Sequence, residues 1–355
     1  MKPRERSILL VASNWLGDAV MSLPLLGYLA GMRDARVTVL AQGYTARVFW
    51  GLGQVGELVV MSKDGFTRRL WRRSRALRAL AFDGALLLPP SFSSALSVFL
   101  GGVPNRVGFA GDGRGVLLNE ALAGGGLRDE HLSENYLRLG RALAERLRLG
   151  GAGEFAVPSI EVFANERDSA RNTLASCGAP PGDYAVVVPG ETYGETKSWP
   201  VEKYRALAGR LSGEMPVVLG GARGERGLCE AVADGLKGVY NLAGLTGLGD
   251  FFALLAGARV LVANDSGAPH AAASIGTPVV VIFGSTSPVW TRPLGETVLV
   301  IREPVPCSPC FRKSCPTQLE CYQGISMDTV FDAALSAAGG AGEVPRASAT
   351  HNEAG

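Results

Sequence analysis

Residues 8–26, ILLVASNWLGDAVMSLPLL, change pattern in the middle. Ile8 to Ala12 form a short β-branched and aliphatic burst with the length of a buried parallel strand, and from Ala19 the apolar residues follow a helical spacing. Gly17 and Asp18 therefore stand at a strand-to-helix turn. In an open α/β sheet such turns lie at the carboxyl ends of the strands, where ligands bind. The carboxylate of Asp18 has two readings there: a charged group of a site, or an N-cap satisfying an orphan backbone N–H.

The same alternation runs outward from this stretch. RVTVLAQ (36–42), ELVVMS (57–62) and GALLLPP (84–90) are separated by helix-like segments, which makes the first 150 residues a series of βα units. YAVVVPG (184–190), MPVVLGG (215–221), RVLVANDSG (259–267) and PVVVIFGS (278–285) repeat the pattern, with helical stretches at 201–211 and 250–256. The class is α/β, with two parallel-sheet domains. Residues 149–183, carrying Gly150-Gly151, Pro158 and Pro180-Pro181, read as the connection, with one helix near 165–176. The expected units are 1–160 and 161–335, followed by a tail, 336–355, whose GGAGEVPRASATHNEAG lacks apolar periodicity and reads as disordered.

Composition agrees with two ordinary cores: 355 residues, 47% hydrophobic and 19% charged. A formal net charge of +2 gives no global argument for nucleic acid. The amino terminus places basic residues before an apolar stretch, but that stretch is too short for a secretory signal and no small-residue cleavage site follows. The uncharged run 84–105 contains Pro89-Pro90 and four serines, which argue against a membrane span. Four of the six cysteines crowd into 307–321, unlike a dispersed disulfide framework. These features point to a cytoplasmic protein.

Several strand ends carry the groups that a nucleotide diphosphate needs, namely close backbone N–H donors with a helix N-terminus behind them. In ANDSGAPHAAASIG (263–276), Asp265, Ser266 and Gly267 end a strand and open a helix, and Pro269 suits its first turn. His270 reads either as a packed core residue or as a phosphate donor. In PGETYGETKSWP (189–200), Thr192 offers a hydroxyl and Lys197 a cation, although a lysine there is equally a surface residue. LGGARGERG (219–227) brings Glu225 beyond a strand end as a ribose acceptor.

FTRRLWRRSRALR (66–78) concentrates arginines, Arg72 and Arg73 among them, on one helix-like stretch. It reads as a solvated face or as a contact for an anionic lipid headgroup or membrane surface. CSPCFRKSCPTQLEC spaces Cys307, Cys310, Cys315 and Cys321 as C-x2-C-x4-C-x5-C, compatible with a zinc or iron–sulfur site, with reduced structural thiols or with a local disulfide.

As a set, NWLGDAVMSLPLL, PGETYGETKSWP, the stretch 264–295 and CSPCFRKSCP resemble the ADP-heptose:lipopolysaccharide heptosyltransferases (glycosyltransferase family 9), closest to the heptosyltransferase II branch. NRVGFAGDGRGVLLN (105–119) and HLSENYLRLG (131–140) share the likeness, which spans about residues 8–330. The resemblance implies a GT-B fold: two Rossmann-like domains facing each other across a cleft, acceptor on the first and ADP-sugar on the second. It implies inverting transfer of a heptose from ADP-heptose onto the heptose/Kdo inner core of lipopolysaccharide, the acceptor being Kdo2-lipid A that carries the first heptose. Asp18 stands where the family places its catalytic base, Lys197 and Thr192 in the diphosphate loop, Glu225 at a ribose contact, and Asp265, Ser266, Gly267 and His270 in the second phosphate-binding turn. Arg72 and Arg73 then fall on the acceptor side, at the cytoplasmic face of the inner membrane. No Asp-x-Asp occurs, so no cofactor or divalent metal is expected, and Lys197 with helix-end N–H groups must balance the leaving diphosphate. The other readings are a double-Rossmann epimerase and a metal-binding interaction module built on the four cysteines.

Overall fold

A computed structural model describes residues 5–61, 66–124, 126–151, 156–190 and 194–339, without the side chains of 66–69 and 195. Its first part runs β1 (Arg6–Val11), α1 (Leu16–Met21), α2 (Leu23–Ala30), β2 (Ala35–Gln42), β3 (Glu57–Met61), α3 (Phe66–Leu80), β4 (Gly84–Leu87), α4 (Phe92–Leu100), β5 (Asn105–Phe109), β6 (Glu120–Leu122) and α5 (Leu132–Leu147). The second runs α6 (Ala164–Ser176), β7 (Tyr184–Val188), α7 (Val201–Leu211), β8 (Val217–Leu219), α8 (Arg226–Ala233), β9 (Val239–Asn241), α9 (Leu248–Ala256), β10 (Ala258–Asn264), α10 (Gly267–Ile275), β11 (Val279–Phe283), α11 (Pro288–Thr291), β12 (Val298–Arg302), α12 (Glu320–Gln323) and α13 (Met327–Ala338).

The strands form two six-stranded sheets, β3-β2-β1-β4-β5-β6 and β12-β11-β10-β7-β8-β9, and the pairings within both are parallel. Counted from its own first strand, each sheet has the order 3-2-1-4-5-6, the doubly wound order of Rossmann domains, so the GT-B architecture holds. Burial on both faces explains the uninterrupted apolar strands: YAVVV of β7 and VVVIF of β11 are buried throughout. The centre of each sheet is where winding reverses, between β1 and β4 in one and between β7 and β10 in the other. In open α/β sheets ligands bind at that point, outside the carboxyl ends of the strands.

The boundaries differ from the sequence reading in three places. Helix α1 begins at Leu16 and not at Ala19, and the chain breaks at Ser22 before α2, which carries Pro24 in its first turn. Four strands, β5, β6, β9 and β12, add to those read from the sequence. Helix α13 continues to Ala338, so 336–338 belong to it and not to the tail; the rest of the expected tail, from 340, lies outside the described residues. The apolar run 84–105 becomes β4 and the nine-residue α4, and among the described residues no helix is long and apolar enough to cross a membrane.

The two parts meet through side chains as well as through the connection. Helix α1 packs on α10, and His131 Nε2 lies 2.8 Å from the Arg292 carbonyl oxygen. Arg128 stacks over Phe311 at 4.0 Å. A buried ion pair joins Arg47, after β2, to Glu166 in the first turn of α6, with Nε–Oε1 and Nη2–Oε2 both 2.5 Å. Arg47 also donates to the Glu161 carbonyl at 2.6 Å and lies 4.7 Å from the Phe163 ring centroid and 5.4 Å from that of Phe252.

Candidate active site

Asp18 is not the cap of its helix. Trp15 holds the N-cap position, without a side-chain capping bond, and Asp18 lies in the first turn with its carboxylate free for other work. Its Oδ2 accepts from the Ser13 hydroxyl at 3.1 Å. Burial raises its pKa above the ordinary carboxylate value; the Ser13 hydrogen bond and the Lys197 charge pull it back, and the Asp265 charge adds to the rise. Asp18 thus feels both members of an ion pair from the other sheet.

That pair sits at the other reversal point. Lys197 Nζ lies 3.1 Å from Asp265 Oδ2 and 3.2 Å from the Asp265 carbonyl oxygen. Asp265 is buried, and its Oδ2 also accepts from Thr286 Oγ1 at 2.6 Å and Thr291 Oγ1 at 3.3 Å. Asn264 ties the two loops together, donating to the Pro189 carbonyl at 3.0 Å and accepting from the Trp199 N–H at 3.1 Å. Lys197 is thereby a fixed cation beside the opening of α10, whose N-cap Ser266 makes no side-chain capping bond. Such a helix opening offers backbone N–H groups and the positive end of a dipole to an anion.

Close approach of α1 and α10 requires small residues. A Cβ on Gly267 would stand 2.7 Å from Leu16 Cβ, and one on Gly17 would stand 3.0 Å from His270 Cδ2. Gly267→Ala is therefore expected to push α1 away and lower stability by about 1–3 kcal/mol. Chemical denaturation at pH 7 measures it, and an unchanged midpoint would mean that the helices shift freely.

His270 is buried against the Gly17 turn, with Nε2 4.0 Å from Asp265 Oδ1. Burial pushes its pKa down to about 4, more than the Asp265 charge restores, so the imidazole is neutral at pH 7.

Glu225 occupies a short 3-10 turn after β8, where its Oε2 accepts from the Ala222 N–H at 2.6 Å and its carboxyl group packs on Gly190. It faces the β7 loop, one strand from the Lys197–Asp265 pair. Thr192 lies outside the described residues. Arg72 and Arg73 lie on α3, and Arg73 lines a small cavity of mixed polar and apolar character, with Asn14, Gln42 and Ser94 beside Met61 and Leu70, at the carboxyl ends of β1, β2 and β4. Sequence reasoning gave no role to Ser13, Thr286 or Thr291. Ser13 and Thr286 follow strand ends but Thr291 closes α11, and Thr286 and Thr291 reach Asp265 from more than 20 residues away.

Comparison with known proteins follows this geometry. Residues 69–320 match the family model described as glycosyltransferase family 9 (heptosyltransferase). Lipopolysaccharide heptosyltransferase 2 of Escherichia coli (strain K12) is 29% identical over 306 residues, covering 83% of this chain and 87% of that protein. The solved structure of E. coli ADP-heptose lps heptosyltransferase II superposes with a TM-score of 0.75 at 25% identity, covering 94% of this chain and 98% of that one. A family 9 glycosyl transferase from Veillonella parvula DSM 2008 shares the fold, with a TM-score of 0.79 at 18% identity and coverage of 95% and 98%.

Proposed function

The chain belongs to glycosyltransferase family 9, the heptosyltransferase family, and from that premise we propose that it moves a heptose from ADP-heptose onto the heptose/Kdo inner core of lipopolysaccharide, with inversion. The observation that carries this reading is the meeting of the two reversal points. Asp18, on the first sheet, lies within electrostatic reach of Lys197 and Asp265 on the second, so a base and a diphosphate cradle flank one crevice.

In an inverting transfer the acceptor oxygen attacks the anomeric carbon from the face opposite ADP, loses its proton and releases the diphosphate. Asp18 takes that proton. Lys197 and the backbone N–H groups of Ser266 and Gly267 meet the charge that grows on the departing ADP, the role a divalent cation fills elsewhere. His270 packs beneath this turn, Asp265 fixes Lys197, Glu225 reaches the ribose, and Thr192 belongs to the same diphosphate loop. No resident cofactor enters this reaction.

The acceptor lies on the first sheet, over the cavity that Arg73 lines. Arg72, Arg73 and Arg75 meet the anionic inner core of Kdo2-lipid A carrying its first heptose, at the cytoplasmic face of the inner membrane; nucleic acid is not a partner. Neutralising the three arginines is expected to raise the acceptor KM and leave donor KM unchanged, and the share due to the exposed Arg72 and Arg75 should shrink in salt, because exposed charges are screened over about 10 Å at 0.1 M. Steady-state kinetics at two ionic strengths tests this, and an unchanged acceptor KM returns the run to a solvated face.

Mass spectrometry of the product from ADP-heptose and a heptose-truncated inner-core acceptor decides the assignment. An acceptor heavier by one heptose is expected. Conversion of the sugar nucleotide without acceptor would instead indicate an epimerase.

A further inference from the structure

Helix α3 packs on the first sheet through Leu77 and on α4 through Ser74, whose hydroxyl donates to the Ser97 carbonyl at 3.1 Å. Its outer face is left to solvent, and there Trp71, Arg75 and Arg78 follow one another at i, i+4 and i+7, all exposed. The Arg75 guanidinium lies over the Trp71 ring, 5.4 Å from its centroid. Arg78 reaches across to the end of α4, where its Nη2 donates to the Leu100 carbonyl at 2.8 Å. Beside Leu100, the Phe99 ring is covered by the Arg106 guanidinium at 5.1 Å, and Arg106 Nε donates to the Leu117 carbonyl at 2.6 Å. Leu117 closes the 3-10 turn Arg114–Leu117, which carries Val116. These contacts make one continuous strip from Trp71 to Val116.

The apolar groups of the strip face outward: Val116 is 85% exposed, Trp71 63%, Phe99 44% and Leu100 41%. Single apolar side chains at a surface are ordinary, but a run of them joined by guanidinium groups marks a contact surface. Its charge has one sign. Residues 66–119 carry eight arginines against two acids, and both acids are engaged elsewhere, Asp83 with Arg6 and the Ser7 N–H, Asp112 with the Phe92 N–H. A second copy of this chain laid strip to strip would set like charges against each other. An anionic surface with hydrocarbon beneath it satisfies both kinds of group at once.

We propose that this strip is the surface on which the protein rests against an anionic phospholipid bilayer, Trp71, Phe99, Leu100 and Val116 entering the boundary between headgroups and acyl chains while Arg75, Arg78 and Arg106 hold lipid phosphates above them. Guanidinium groups stacked on rings suit that depth, because the apolar body sinks and the charge stays at the level of the headgroups, and the excess of arginine draws the face to an anionic leaflet. The strip lies on the outer sides of α3 and α4, whose other sides, through Arg73, Ser94 and Ser97, line the cavity assigned to the acceptor. Docking thus holds that cavity beside the bilayer, within reach of a headgroup whose acyl chains remain in it. That consequence rests on the lipid-linked acceptor proposed above; the docking itself does not.

The test uses the full chain and vesicles that contain no sugar. The protein should sediment with vesicles of phosphatidylglycerol and phosphatidylethanolamine, hardly at all with phosphatidylcholine, and less as salt rises from about 0.1 to about 0.5 M. Phe99→Ser/Leu100→Ser/Val116→Ser should weaken the partition about tenfold or more, since three apolar side chains no longer leave water, and Arg78→Glu should weaken it with a shallower salt dependence. If the triple variant does not fold, Arg78→Glu and the comparison of vesicles still decide. Transfer to a deacylated, soluble acceptor should be unchanged in both variants; its failure in the parent would count against the transferase reading alone. Equal binding of the parent to anionic and neutral vesicles, or parent-like binding by the variants, overturns the proposal. So does a dimer in solution that the triple variant dissociates, which would make the strip a face between copies.

Discussion

Asp18→Asn is expected to lower turnover by about 10²–10⁴, the usual worth of a positioned general base, or about 3–5 kcal/mol in the barrier. The carboxamide keeps an acceptor for the Ser13 hydroxyl, and the helix cap is Trp15, so no structural role is lost with the charge. Stability should if anything rise. A carboxyl group whose folded pKa lies above its unfolded value contributes most below the unfolded pKa and loses that contribution as pH rises through the folded one. At pH 7 the buried Asp18 charge is on the unfavourable side of that window, and asparagine removes it. The same shift places the acid limb of kcat/KM above the ordinary carboxylate range, because the base must be ionised to act. Ser13→Ala, which withdraws a hydrogen bond from the ionised form, should move the limb higher still. A pH–rate series on the three proteins checks both statements; transfer by Asp18→Asn within a few-fold of the parent ends the assignment.

Lys197→Ala should cost about 10²–10³ in turnover, the penalty for removing one electrostatic stabiliser of a developing charge. Donor affinity should fall less, since the diphosphate carries more charge as the glycosidic bond breaks than it does when bound. Stability should fall as well, because the buried Asp265 charge loses its cation and keeps only Thr286 at 2.6 Å and Thr291 at 3.3 Å, so a melting curve accompanies the kinetics. Lys197→Arg should recover only part of the loss: a planar fork cannot reproduce a compact ammonium held between the Asp265 carboxylate and its own carbonyl. Separate kcat and donor KM values decide this, and equal kcat in the alanine variant and the parent counts against it.

The strands that position these residues were legible because they are buried on both faces and hence continuously apolar. Strands β6 and β9, with three residues each and none fully buried, leave no such trace, and a period cannot be read from so few positions. The start of α1 escaped because Trp15 carries none of the usual capping groups, so Asp18 looked like the cap. Asp18, Lys197 and Asp265 could each be singled out by type and by place at a strand end. That Lys197 and Asp265, 68 residues apart, form one ion pair could not, because contacts across a sheet depend on strand order, which no local pattern contains. His270 illustrates the same limit: its residue type offered two roles, and only the fold shows it buried against the Gly17 turn, where desolvation favours the neutral imidazole.

The Arg47–Glu166 pair decides how this chain can be divided. A fragment beginning at 156 would contain every strand of the second sheet, yet would carry Glu166 without its guanidinium and bare the Phe163 and Phe252 rings that now flank it. The complementary fragment would strand Arg47. Splitting the chain returns both charges to water but bares the rings and apolar faces that now enclose them, and that exposed apolar surface is the cost. Co-expressed halves therefore have reason to find each other, and each alone has reason to aggregate or be degraded, so natural selection and the cell's proteases both encounter this two-sheet molecule as one indivisible unit.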